Sequence, residues 1–100
     1  MLDSLFSEGL ACLYEQEKTG RVPIYVNSKL TNKVIEMCNS KLKSKKYDHG
    51  LWFINGNNEI PKWFGYSYGY LLSQKVSLKT NKTAAQLAHL SSDKLYDLSK

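Results

Sequence analysis

The sequence predicts an all-α fold: three main helices plus two short C-terminal helices, in one compact helical domain over residues 1–100. Apolar residues recur at helical spacing over three long stretches. Helix punctuation bounds those stretches, with Gly20 and Pro23 after the first and Asn81-Lys82-Thr83 after the third. Strand character is confined to Ile24-Tyr25-Val26, which is too short to stand as a strand.

The first helix is expected from about Leu5 to Lys18, capped by Asp3 or Ser4. At about 100° per residue, Phe6, Leu10, Leu13 and Tyr14 share one face, the expected core side. Glu8 and Glu15 fall on the other side, with Ala11 and Cys12 flanking them. Arg21 to Val26 reads as an extended connection, since Pro23 keeps its predecessor out of the helical region. A second helix is expected from about Lys29 to Lys45, capped by Asn27 or Ser28. Leu30, Val34, Met37 and Leu42 form its apolar face, with Ile35 and Cys38 beside it.

Asp48 to Pro61 reads as a loop turned by Gly50, Gly56 and neighbouring asparagines. Its run Leu51-Trp52-Phe53-Ile54 is apolar enough to dock into the core. The third helix is expected to start between Pro61 and Trp63 and to end near Lys79. Within it Gly65 and Gly69 are four apart, as are Tyr66 and Tyr70. That spacing makes a glycine groove beside a tyrosine ridge, and the groove admits another helix closely. Thr83 and Gln86 form a capping-box pair that opens a short helix through about Leu90. Ser91 or Ser92 then caps a last one carrying Leu95, Tyr96 and Leu98.

Composition excludes several function classes. No apolar run approaches the roughly 18 residues of a membrane span, so no membrane partner is expected. No basic-then-apolar leader opens the chain, which points to a cytoplasmic location with Met1 as the start. The net charge is +5, with Lys41, Lys43, Lys45 and Lys46 clustered. Those lysines read as a solvated helix end, where cations are favoured. The single arginine disfavours nucleic acid as a partner, because arginine dominates phosphate and base recognition. Cys12 and Cys38 lack metal-site spacing and read as free thiols. There is no phosphate-binding glycine loop and no serine-hydrolase elbow. His89 reads as a packing residue and the Asp48-His49 pair as a turn.

Ser7-Glu8-Gly9-Leu10-Ala11 is the stretch with the most chemistry. Glycine costs about 1 kcal/mol against alanine inside a helix, so Gly9 marks a close approach to the backbone. Glu8 is either a solvated carboxylate near a helix start or a metal ligand on a face of small residues.

This stretch resembles the third-ligand helix of gluzincin metallopeptidases, in which a Glu is followed by a small residue, an apolar residue and Ala. Pro61 to Tyr70, followed by Thr83-Ala84-Ala85-Gln86-Leu87, resembles the C-terminal half of a bacterial family of predicted zinc-dependent proteases, a domain of unknown function. The resemblance covers nearly the whole chain. It implies zinc held by Glu8 and two histidines of an H-E-x-x-H helix, with the Glu of that motif as general base. It also implies a peptide or protein substrate and a phenol that hydrogen-bonds the developing oxyanion, Tyr66 first and Tyr70 second. The chain contains no H-E-x-x-H. The expectation is therefore either the C-terminal part of a longer zinc metallopeptidase, the motif lying before residue 1, or a truncated relative that has lost catalysis, with neither zinc nor activity expected in this chain alone. The alternative is a non-catalytic helical interaction module. It would form homo-oligomers through an exposed face of Ala11, Gly65 and Gly69, with Trp52, Trp63 and Tyr66 nearby.

Overall fold

A computed structural model describes all 100 residues. It is all-α: α1 (Leu2–Thr19), α2 (Asn32–Asn39), a π-helix (Gly50–Asn55), α3 (Phe64–Thr80), α4 (Ala84–Leu87) and α5 (Ser92–Leu98). No helix is long and apolar enough to cross a membrane.

The centre of the fold is the crossing of α1 and α3. A Cβ built on Gly9 would lie 2.2 Å from the carbonyl of Gly69, and one built on Gly69 would lie 2.1 Å from the carbonyl oxygen of Leu5. The two backbones therefore touch where only glycine fits. Gly65, the other glycine of the groove, receives the ring of Phe53 instead of a helix. Around this contact Leu5, Phe6, Phe53, Phe64, Val76, Leu87 and Leu95 are sealed from water. Burying side chains of this size supplies roughly 1.5–3 kcal/mol each against the entropy of ordering the chain.

The boundaries of α1, α2 and α3 differ from expectation, each for its own reason. α1 begins at Leu2 with no side-chain cap. Instead the Met1 ammonium donates to the Ser44 carbonyl at 2.8 Å, and the Leu2 N–H to that of Leu42 at 3.0 Å. Tyr14 lies on solvent and not on the core face, which consists of Leu2, Leu5, Phe6, Gly9, Leu10, Cys12 and Leu13. α2 is shorter at both ends than expected. Thr31 caps it, while Ser28 is held extended by bonds to Ser67 and to the Lys62 carbonyl. Lys41, Lys43, Lys45 and Lys46 follow its last turn, all exposed.

The apolar run in the expected loop forms the π-helix. Asp48 opens it by accepting from the Leu51 N–H at 3.0 Å. Trp52 and Phe53 dock into the core as anticipated, and Ile54 faces water. α3 starts late, at Phe64, because Trp63 adopts a left-handed backbone with φ 62°. The capping box of Thr83 and Gln86 is present, and Ser91 caps α5. The N–H of Ala84 also donates to the Glu17 carboxylate at 3.1 Å, fastening α4 to α1.

This packing corrects the expected association patch. Gly65, Gly69 and Trp52 are buried within the chain's own fold, so they are not available to a second copy.

Candidate functional site

The close crossing at Gly9 and Gly69 brings the adjoining polar residues of α1 beside the tyrosine ridge of α3. Glu8 precedes Gly9 and is half-buried. Its neighbour across the crossing is Tyr66, also half-buried. Burial pushes the Tyr66 phenol above its usual value of 10.0. The charge of Glu8 and hydrogen bonding to it push in the same direction, with smaller contributions from Cys12 and Tyr25. The phenol therefore keeps its proton at neutral pH.

Tyr70 sits one turn further along and is committed elsewhere. Its hydroxyl donates to Gln16 Oε1 at 2.5 Å and accepts from Gln74 Nε2 at 3.5 Å. Of the two tyrosines singled out by spacing, Tyr66 meets Glu8 and Tyr70 meets a glutamine two turns away from it.

Glu8 has no cation beside it. The ion pairs of the chain are Lys33 with Glu59 and Lys100 with Asp97, both exposed. This half-buried carboxylate thus has no lysine or arginine paired with it.

Cys12 lies one turn after Glu8, buried at the margin of the core. Burial first, then the charges of Glu8 and Glu15, pushes its thiol up to about 11. Cys38 is raised to about 12 by burial, against a smaller lowering by the N-terminal ammonium. Both cysteines are free. Their ordinary value is 9.0, so the folded chain holds these protons where the unfolded chain releases them. The stabilisation is whole below pH 9 and is lost as pH rises through the folded values. Tyr68, raised to about 12 mainly by burial, acts in the same direction at higher pH. Urea midpoints are expected to stay level from pH 7 to about 9 and then to fall steadily toward pH 11. A level midpoint across that upper interval would contradict the assignment.

The histidines are remote from this chemistry. His49 stacks on Phe53, centroids 4.5 Å apart, and meets the Tyr47 hydroxyl at 3.4 Å. Its neighbour Asp48 spends its carboxylate on the π-helix start. His89 is exposed. No three His, Cys, Asp or Glu side chains are grouped to hold a metal ion. The residues present do not by themselves make up a complete zinc site.

Three neighbours of the site carry no sequence signal of their own. Tyr25, from the irregular segment after α1, lies on the Tyr66 ring at 5.1 Å, and Trp63 meets Tyr25 edge-on at 5.2 Å. Ser67 is a buried hydroxyl on α3 that binds the backbone of that same segment.

A family model described as "Predicted Zn-dependent protease (DUF2268)" matches residues 1–97. No curated protein and no solved structure matches the chain.

Proposed function

The chain belongs to the family of predicted Zn-dependent proteases, and on that premise we propose that it supplies Glu8 as the third ligand of a catalytic zinc. Two histidines from an H-E-x-x-H helix outside these residues complete the set. The observation that carries this reading is the state of Glu8: half-buried, with no cation beside it and with the Tyr66 phenol as its neighbour.

Zinc in such a site acts as a Lewis acid and acidifies bound water. The residues of this chain have separate tasks. Glu8 presents an oxygen ligand whose charge no neighbouring side chain neutralises. Tyr66 keeps its proton and donates a hydrogen bond to the oxyanion that develops on a peptide carbonyl. Tyr70, bound to Gln16, holds the face of α3 against α1 and takes no part. Gly9 and Gly69 set the distance between the two helices and hence between ligand and phenol. The substrate class is peptide or protein.

One carboxylate does not hold zinc at useful affinity. These 100 residues alone are therefore expected to lose zinc on dialysis and to hydrolyse no peptide. The same residues joined to an H-E-x-x-H helix are expected to retain one zinc per chain and to cleave peptides. Stoichiometric zinc retained by the 100 residues alone, or hydrolysis by them, would overturn the proposal.

A further inference from the structure

We propose that Tyr25 is a positioning residue for Tyr66, seated by Ser67, and that together they hold the Tyr66 ring in its place on the Glu8 side of the crossing. This rests on the reading of Tyr66 given above.

The segment between α1 and α2 has no regular structure, yet it is fastened to α3 at defined points. The Ser67 hydroxyl donates to the Tyr25 carbonyl at 3.0 Å and accepts from the Ser28 N–H at 3.1 Å. Ser67 is 3% exposed, so its hydroxyl is costly to leave without these partners. The Ser28 hydroxyl donates to the Lys62 carbonyl, and the Val26 N–H to that of Pro23 at 3.0 Å. The result is a strap across the start of α3, with Tyr25 at its bend.

Tyr25 is then one wall of a slot. Its ring lies on Tyr66 at 5.1 Å and 31°. Phe53 closes Tyr66 from another direction, edge-on at 6.0 Å. Phe53 is fully buried over Gly65 and cannot move far. Tyr25 is 42% exposed, so it is the wall that depends on the strap. Trp63 backs Tyr25 edge-on, from a left-handed backbone that bulky residues rarely adopt. Without the Tyr25 ring, Tyr66 gains a rotamer directed at solvent and away from Glu8.

The test uses the 100-residue chain and NMR. In the wild type, Tyr66 ring protons are expected to show cross-relaxation to the Glu8 side chain. Tyr25→Ala is expected to weaken those signals by about twofold or more while amide signals away from the strap stay in place. Tyr25→Phe keeps the ring and is expected to keep the signals. Ser67→Ala is expected to behave as Tyr25→Ala does. Unchanged Tyr66–Glu8 signals in Tyr25→Ala, a surface variant with no core to disturb, overturn the proposal.

A kinetic arm uses the protein that carries the histidines. There Tyr25→Ala is expected to lower kcat by about tenfold with little change in KM, and Tyr25→Phe to restore it. If Tyr66→Phe removes activity and Tyr25→Ala does not, positioning is wrong. If Tyr25→Ala releases Tyr66 in the NMR arm and Tyr66→Phe is fully active, positioning stands and the catalytic reading of Tyr66 fails.

Discussion

Replacing Gly69 by alanine is expected to destabilise the chain by about 2–3 kcal/mol, with a melting temperature lower by about 10–20 °C. The added Cβ would lie 2.1 Å from the Leu5 carbonyl oxygen, 3.0 Å from its carbon and 3.3 Å from the Gly9 Cα. Carbon contacts are comfortable at about 3.5–4.0 Å, so α1 and α3 must part by roughly an ångström. Neither partner is a side chain able to swing away. Overpacking of this kind costs about 1–3 kcal/mol when side chains can adjust, and more when backbone must move. Alanine's better helix propensity returns about 1 kcal/mol of that. Gly9→Ala meets the Gly69 carbonyl at 2.2 Å and is expected to behave alike.

Gly20→Ala provides the contrast. Nothing lies within 4 Å of its added Cβ, but φ is +75°. Its cost is the conformational strain alone, about 1 kcal/mol. Chemical denaturation of the three variants separates the two causes. A Gly69→Ala variant within about 0.5 kcal/mol of wild type would show that the crossing is looser than described.

The same contact shows how far the sequence could be read. The spacing of Gly65 and Gly69 announced a groove, and Gly9 announced a close approach, but nothing local says that two glycines in different helices meet. Gly9 marks the packing of α3 itself. Gly65, an equal member of the groove by spacing, receives Phe53, because the π-helix brings that ring there. Helix ends at Ser91 and Thr83 were legible because each cap is a local bond between residues three apart. The start of α1 was not legible, since the Leu2 N–H and the Met1 ammonium before it bond to carbonyls some forty residues away. Tyr14 was misplaced for a related reason. Helical spacing gives an angular order, while the centre of the buried face is set by what packs on it, here Gly69 on Gly9.

In the candidate site, Glu8 was legible as a carboxylate on a face of small residues and Tyr66 as part of a tyrosine ridge. The bond of Tyr70 to Gln16 was not legible, because the two lie on different helices far apart in sequence. Tyr25 was silent for a stronger reason: its position comes from a strap whose anchor, Ser67, lies on another element.

If Glu8 is the third zinc ligand, as proposed, Glu8→Gln in these residues joined to an H-E-x-x-H helix is expected to abolish peptide hydrolysis while leaving the fold intact. The substitution keeps the shape and removes the charge. Glu8 belongs to neither ion pair of the chain, so stability is expected to stay within about 0.5 kcal/mol. A neutral amide oxygen is a poor replacement for a carboxylate on zinc. Loss of a group that merely supports a ligand already costs about 10–100-fold in affinity or activity, so loss of the ligand itself is expected to exceed that. Tyr66→Phe makes the complementary case. On the proposed reading it removes one oxyanion donor, a change typically costing about 10²–10³ in kcat, and leaves the proposed zinc ligands in place. Zinc content measured beside kcat therefore distinguishes the two roles: Glu8→Gln loses metal and rate together, and Tyr66→Phe loses rate with the metal retained. Full zinc occupancy in Glu8→Gln would remove Glu8 from the ligand set. The carboxylate would then be a polar neighbour of Tyr66 and nothing more.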